Sequence, residues 1–190
     1  AENSSLLSGG HADPGVFPYV RGGKASADWT TVGQGESPLP EGAVRIDAAS
    51  QAADGAAAEL AWAWTQGIEA LRSLQSSGRT IDEAAGKIRF TLAASGEFFV
   101  IMAKFRAARH GWARLVTALG GSPEAARMVI HAVTVPAPRD GEEPHTNILR
   151  YTVAACAAVL GGCDSLTVLP FDGGPAEFPE RLALNTQRIL

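Results

Sequence analysis

The chain has 190 residues, 46% hydrophobic and 19% charged, with a formal net charge of -4. It is long enough for one ordinary domain with a sizeable core, and its charge balance gives no electrostatic case for nucleic acid or an anionic membrane. No apolar run approaches the roughly 20 residues that span a bilayer, and Ala1 to Asp13 carries neither a basic leader nor an apolar core, so no secretory signal is expected there. Without secretion the formal sequon Asn3-Ser4-Ser5 has no meaning, and the expected setting is a reducing cytoplasm. Cys156 and Cys163 have no His or Cys near them at zinc-ligand spacing, so they are expected as buried or half-buried free thiols.

Residues 1–42 are rich in Gly, Pro and Ser and read as an extended arm, whose densest stretch is Pro14 to Gly22. From 43 to 190 strand and helix signals alternate. Val44 to Ala48 is a strand candidate, and a long helix follows from Gln51 to about Leu74, with Leu60, Trp64, Ile68 and Leu71 at helical spacing. Gly78 suits its C-cap, and Thr80 with Glu83 forms a capping-box pattern for a short helix. Arg89 to Ala93 is the second strand. Ser95 is placed to cap the next helix, which runs to about Leu119 with Phe98, Met102, Phe105, Ala108, Trp112, Leu115 and Leu119 as its apolar stripe. Lys104, Arg106, Arg109 and Arg114 lie mostly off that stripe, where a solvated or subunit-facing surface is expected.

Arg127 to Val135 is the third strand, and its Met-Val-Ile run suits a strand covered on both faces. Asp140 to Glu143 reads as a solvated loop, and Pro144 suits the first turn of a helix carrying Ile148, Thr152, Cys156 and Val159 inward, up to Gly161-Gly162. Ser165 to Leu169 is the fourth strand, and a last helix begins after Pro179 and runs to Leu190. Four strands each followed by a helix imply right-handed crossovers and a parallel sheet. An eight-unit barrel needs about 250 residues, so residues 43–190 make either an open four-stranded α/β sheet or half a barrel. No Gly-x-Gly-x-x-Gly or Walker pattern follows any strand, which leaves an unrelated ligand-binding open sheet without support.

Several segments resemble the methylmalonyl-CoA mutase family. Phe98-Phe99-Val-Ile-Met-Ala-Lys104-Phe-Arg106-Ala-Ala-Arg109, with Trp112-Ala113-Arg114-Leu115, resembles the helix after that family's sixth barrel strand. Asn147-Ile148-Leu149-Arg150, Gly161-Gly162 and Ser165-Leu166 resemble the helix and strand that close the barrel, and Asn185-Thr186-Gln187 resembles the start of the last helix. Val16-Phe17-Pro18-Tyr19-Val20-Arg21-Gly22 is similar to the peptide lying along the acyl-CoA channel. The resemblance implies the C-terminal half of a (β/α)8 TIM barrel that encloses an acyl-CoA. It further implies a separate cobalamin domain, where adenosylcobalamin starts a radical rearrangement of the thioester's carbon skeleton.

Three departures from the family pattern bear on activity. Active members resemble Arg-x-His-x-Gln-Thr-Ser-Gly on the seventh strand; here the stretch Val129-Ile130-His131-Ala132-Val133-Thr134 keeps the histidine but has Val129 and Val133 at the arginine and glutamine positions. A valine neither binds a phosphate nor hydrogen-bonds a carbonyl. The Tyr-His pair after the fifth strand has no match in Ile46 to Ala52, and a missing general acid or oxyanion donor typically costs about two or more orders of magnitude in rate. The family's cobalt-ligating Asp-x-His-x-x-Gly is not in this sequence, so the chain itself is expected to bind no cofactor.

The His-Ala-Val-Thr form resembles the small, non-catalytic subunit of heterodimeric mutases, so no catalytic or metal-binding residue is expected. Tyr19, Arg21, Lys87 and His131 are the candidate substrate contacts. Each has a plainer alternative. Tyr19 and Arg21 would pack the arm on the barrel, Lys87 would be an exposed helix-end lysine lacking arginine's fork, and His131 would be a hydrogen-bonded core histidine. His11, His110 and His145 have no metal spacing and no assigned role. The expected function is a non-catalytic barrel segment supporting an adenosylcobalamin-dependent acyl-CoA isomerase; the alternative is a catalytic fragment that binds acyl-CoA. Its expected partner is a catalytic mutase subunit, or a second copy; an inner face that bears Val129, Val133, Leu166 and Val168 needs cover from such a chain or from missing barrel strands.

Overall fold

The structure is a computed structural model, and it describes residues 19–20, 42–135, 145–172 and 177–190. Arg21, Pro144 and the loop at 140–143 lie outside the described residues. In chain order the elements are β1 (Tyr19–Val20), β2 (Val44–Asp47), a 3-10 helix (Ala48–Asp54), α1 (Ala56–Ser76), α2 (Ile81–Lys87) and β3 (Ile88–Ala94). They continue as α3 (Phe98–Ala118), β4 (Ile130–Thr134), α4 (Thr146–Gly161), β5 (Ser165–Thr167) and α5 (Glu177–Ile189).

The sheet order is β1-β5-β4-β3-β2, with β2 to β5 mutually parallel and β1 antiparallel at the edge. Successive parallel strands are therefore neighbours in space, and the order never reverses. With right-handed crossovers, that monotonic order puts every connecting helix on the same face of the sheet. A doubly wound sheet requires a reversal to cover both faces. A barrel segment does not, so the topology fits a partial barrel.

Strand parity sorts the side chains. Ile46, Phe90 and Ile130 form one cross-strand row, and Leu92, Ala132 and Leu166 form the next, on the face the helices cover. Phe90 meets Trp112 of α3 edge to face at 4.9 Å between ring centroids. Gly67 of α1 lets both rings in: a Cβ there would stand 2.4 Å from Trp112 Cζ3 and 3.1 Å from Phe90 Cζ. One turn back along the same face of α1, Trp64 donates its indole N–H to the Ala108 carbonyl at 3.3 Å, over the bare backbone of Gly111.

Several local expectations shift. The helix read from Gln51 is two pieces, because Gly55 adopts φ +94 and breaks the 3-10 helix from α1. Only glycine takes that conformation without strain. Ser95 does not cap α3; Glu97 holds that position, without a side-chain cap bond. The third and fourth strands are shorter than read, and α5 starts earlier, with Pro179 inside its first turn. Finally, α4 fully buries Tyr151, Ala154, Ala155, Ala157, Ala158 and Gly161; of the positions read as inward, Ile148 and Val159 pack half-buried against the core, Cys156 is half-buried and Thr152 is exposed. The reason is proximity: a Cβ on Gly161 would meet Phe105 Cβ at 2.9 Å, so α4 presses its smallest residues onto α3. Large side chains such as Leu149 and Leu160 are left outside.

The capping box at Thr80 forms as expected, with Thr80 Oγ accepting from the Glu83 N–H and the Glu83 carboxylate accepting from the Thr80 N–H. Opposite the strand C-terminal ends, Asp164 joins three elements. Its carboxylate accepts from Arg109 at 2.6 Å, Arg127 at 3.0 Å and the Ile130 N–H at 2.9 Å, while Arg109 also donates to the Met128 and Gly162 carbonyls. Arg109 therefore belongs to a structural clamp, not to a solvated surface. Arg106 and Arg114 are exposed as expected. Both cysteines are free thiols, Cys163 buried and Cys156 half-buried.

Candidate functional site

The face turned away from the helices is polar. Parity places Asp47, Thr91, His131 and Ser165 in one cross-strand row, with Ala93, Val133 and Thr167 in the next. In a closed barrel this face lines the interior. Val129, Val133 and His131 share it, so the two valines stand beside the histidine where the family resemblance sets guanidinium and amide groups. The expectation that Leu166 and Val168 need cover on this face is corrected. Leu166 lies in the helix-covered row at 0% exposure, and Val168 is also buried, so both are core residues.

His131 is held at both ring nitrogens. Nδ1 lies 2.7 Å from Ser165 Oγ and Nε2 lies 2.9 Å from Thr167 Oγ1. Ser165 and Thr167 are alternate residues of β5 and project to the same face, so the two hydroxyls bracket the imidazole. Burial, with a smaller push from the Arg45 charge, lowers its pKa to about 4, so the ring is neutral at ordinary pH. Neither nitrogen is left over for a thioester carbonyl.

The depressed value carries a stability prediction. Between pH 6.5 and about 4 the unfolded chain protonates this histidine and the folded chain does not. Stability contributed by His131 is thus complete above pH 6.5 and is lost as pH falls through that window, to a maximum of about 3 kcal/mol. His131→Gln keeps a hydrogen-bonding amide that does not titrate. Denaturant midpoints at pH 7, 5.5 and 4.5 should fall less steeply for this variant than for the parent. Parallel slopes would show that His131 contributes nothing to the acid limb.

A second cluster lies at the C-terminal end of β3, the end at which barrel enzymes build their sites. Because β3 extends beyond its last paired residue on β2, Ala93 faces that side with no ladder partner. Side chains replace it. Glu59 of α1 accepts the Ala93 N–H at 2.7 Å, Lys104 of α3 donates to the Ala93 carbonyl at 2.6 Å, and the two charges meet at 2.5 Å. The side chains are 1% and 3% exposed. Burial lifts the Glu59 carboxyl above its usual range and lowers the Lys104 ammonium, and each partner pulls the other part of the way back. Lys104 is therefore not the solvated residue its place beside the stripe suggested.

Of the four candidate contacts, His131 and Lys87 are described with their side chains, and they lie apart. Tyr19 pairs through its backbone with Leu166 on β5, one strand from His131 on β4. Lys87 is half-buried and ends α2, immediately before β3, so it lies at the opposite end of the sheet from the Ala93 cluster. Arg21 falls outside the described residues. The histidine's partners and Glu59 were missed by sequence reasoning. A signal existed for Glu59: it stands as a charge beside the apolar positions Leu60 and Ala63 of α1, and Lys104 lies with opposite sign next to the α3 stripe, which marks a candidate buried pair.

Three of the chain's histidines lie among the described residues. His131 has both nitrogens engaged, His110 is exposed on α3, His145 lies against the Phe171 ring at 5.3 Å, and no three His, Cys, Asp or Glu among the described residues converge on a metal position. No described helix is long and apolar enough to cross a membrane.

Right-handed βα units with helices on one face and a polar row on the other define a segment of a (β/α)8 barrel. The chain belongs to the methylmalonyl-CoA mutase family, which it matches over residues 43–190. It is 42% identical over 143 residues to a methylmalonyl-CoA mutase small subunit of Streptomyces virginiae, covering 74% of this chain and 23% of that protein. A small subunit of Propionibacterium freudenreichii subsp. shermanii is 38% identical over 154 residues, 78% of this chain and 24% of that protein. The methylmalonyl-CoA mutase of Escherichia coli is 33% identical over 136 residues, 70% of this chain and 19% of that protein. The chain thus spans about a quarter or less of the length of these curated relatives.

Proposed function

We propose that this chain is a non-catalytic barrel segment of the small-subunit type, which supports an adenosylcobalamin-dependent acyl-CoA isomerase by pairing with a catalytic mutase subunit in the cytoplasm. The observation that carries the reading is the inner face at β4. There His131 is closed off by two hydroxyls, and its same-face neighbours Val129 and Val133 offer nothing to a thioester or a phosphate. The small-subunit relatives support the pairing half of the proposal. Adenosylcobalamin, where bound, supplies the radical; in this reading it resides on the partner.

The pairing is tested by mixing the purified chain with a catalytic mutase subunit and measuring mass by light scattering. One complex of defined stoichiometry is the expected result. Two unchanged species at concentrations well above micromolar would contradict the proposal. A second reading, a catalytic fragment that isomerises methylmalonyl-CoA and succinyl-CoA once completed, draws on the similarity to the Escherichia coli mutase. Turnover by the chain with added adenosylcobalamin would favour it.

A further inference from the structure

Helix α5 is docked against its own pattern. Its buried positions, Pro179, Ala183 and Gln187, recur every four residues and bring a ring, a methyl group and an amide inward. On the neighbouring face, one residue or about 100° round the axis, Phe178, Leu182 and Ile189 form a larger apolar stripe. Phe178 and Ile189 are 55% and 84% exposed, and Leu182, Leu184 and Leu190 are only half-buried against the core. Phe178 meets Phe171 edge to face at 6.1 Å between ring centroids, yet is left largely uncovered. Gln187, by contrast, is 2% exposed, and its amide nitrogen and oxygen are shut off from solvent with no hydrogen-bond partner among the described residues. A buried donor and acceptor left unmade cost more than an ordinary hydrogen bond returns.

Two polar contacts of α5, Arg181 with Glu177 at 3.7 Å and Thr186 Oγ1 with the Leu182 carbonyl at 3.0 Å, stay within the helix and do not fasten it to the body. Undocking leaves both intact, and it gives the Gln187 amide the water it lacks when buried. Small inward side chains return little for the burial that strands this amide. We propose that α5 is a releasable helix: it leaves the body by local opening while β2 to β5 stay folded, and the unmade amide of Gln187 sets how often it does so. The inference goes beyond the catalytic-subunit reading and does not depend on it, because it concerns this chain in isolation.

Gln187→Met tests this, since methionine keeps the length and approximate volume of glutamine and carries no amide to leave unmade. In the whole chain, hydrogen exchange at the mid-helix amides of Ala183 to Asn185 should slow about tenfold or more in the variant. The amides of Phe90 to Leu92, in β3, should match the parent. Tryptic cleavage after Arg181, an exposed residue inside α5, needs the helix released and should slow by a similar factor. Unchanged or faster exchange or cleavage in Gln187→Met would overturn the proposal, because the amide would then be satisfied where it lies. An independent check uses the unaltered chain: the amides of Ala183 to Asn185 should exchange by an opening insensitive to low denaturant, ahead of Phe90 to Leu92. Exchange of both sets only through global unfolding would overturn it equally.

Discussion

Replacing Lys104 with methionine is expected to cost the fold about 3–5 kcal/mol, the typical effect of leaving one partner of a buried ion pair behind. Lys104 is bonded to both the Glu59 carboxylate and the Ala93 carbonyl, and its side chain is 3% exposed. Its removal strands a carboxylate in the core and orphans a backbone acceptor. Denaturant unfolding at pH 7 reads the loss directly. Adding Glu59→Leu to Lys104→Met should restore part of the stability, because the stranded charge goes with it. Restoration should stop short of the parent, since the N–H and carbonyl of Ala93 then have neither partner. A Lys104→Met midpoint equal to the parent would show that the pair does not fasten the end of β3.

The second large effect lies where α1, α3 and the sheet meet. Trp112 is 1% exposed and fills the space over Gly67 and Phe90. Trp112→Ala should destabilise by about 3–5 kcal/mol through the cavity it leaves. Gly67→Ala should cost about 1–3 kcal/mol for the opposite reason, because the new Cβ falls 2.4 Å from the Trp112 ring. The two losses should not add, since deleting the indole removes the clash. A double variant no worse than Trp112→Ala alone is the expected result, measured by thermal or denaturant unfolding. Strict additivity would mean that Gly67 is constrained by something other than this ring.

Much of the architecture was legible because its signals are local. Thr80 with Glu83 announced a capping box, and glycines 78, 120 and 162 stand at helix ends with positive φ. The α4 face was read only in part, since Ile148 and Val159 do pack against the core, and the physical reason is that apolar size identifies buried positions only where helices keep ordinary distance. At Gly161 and its alanines the spacing to α3 is too close for large side chains, and the rule inverts. Gly55 looked like one more small residue within an alanine-rich helix, and only its backbone angle separates the two helical pieces.

The site was legible in part. The histidine, Val129 and Val133 share a face because residues two apart on a strand always do. What closes that histidine comes from β5, more than thirty residues on, and strand register alone brings Ser165 opposite it. Lys104 was read as surface since long charged side chains usually reach water. Its burial follows from a partner on a different helix, which no spacing within α3 reveals.

Calorimetric titration of the chain with a short acyl-CoA tests the reading of the inner face most directly. Heats of dilution only, with no saturation into the millimolar range, are the predicted result for a face that sets valines beside a fully bonded imidazole. A saturable micromolar isotherm abolished by His131→Gln would contradict it.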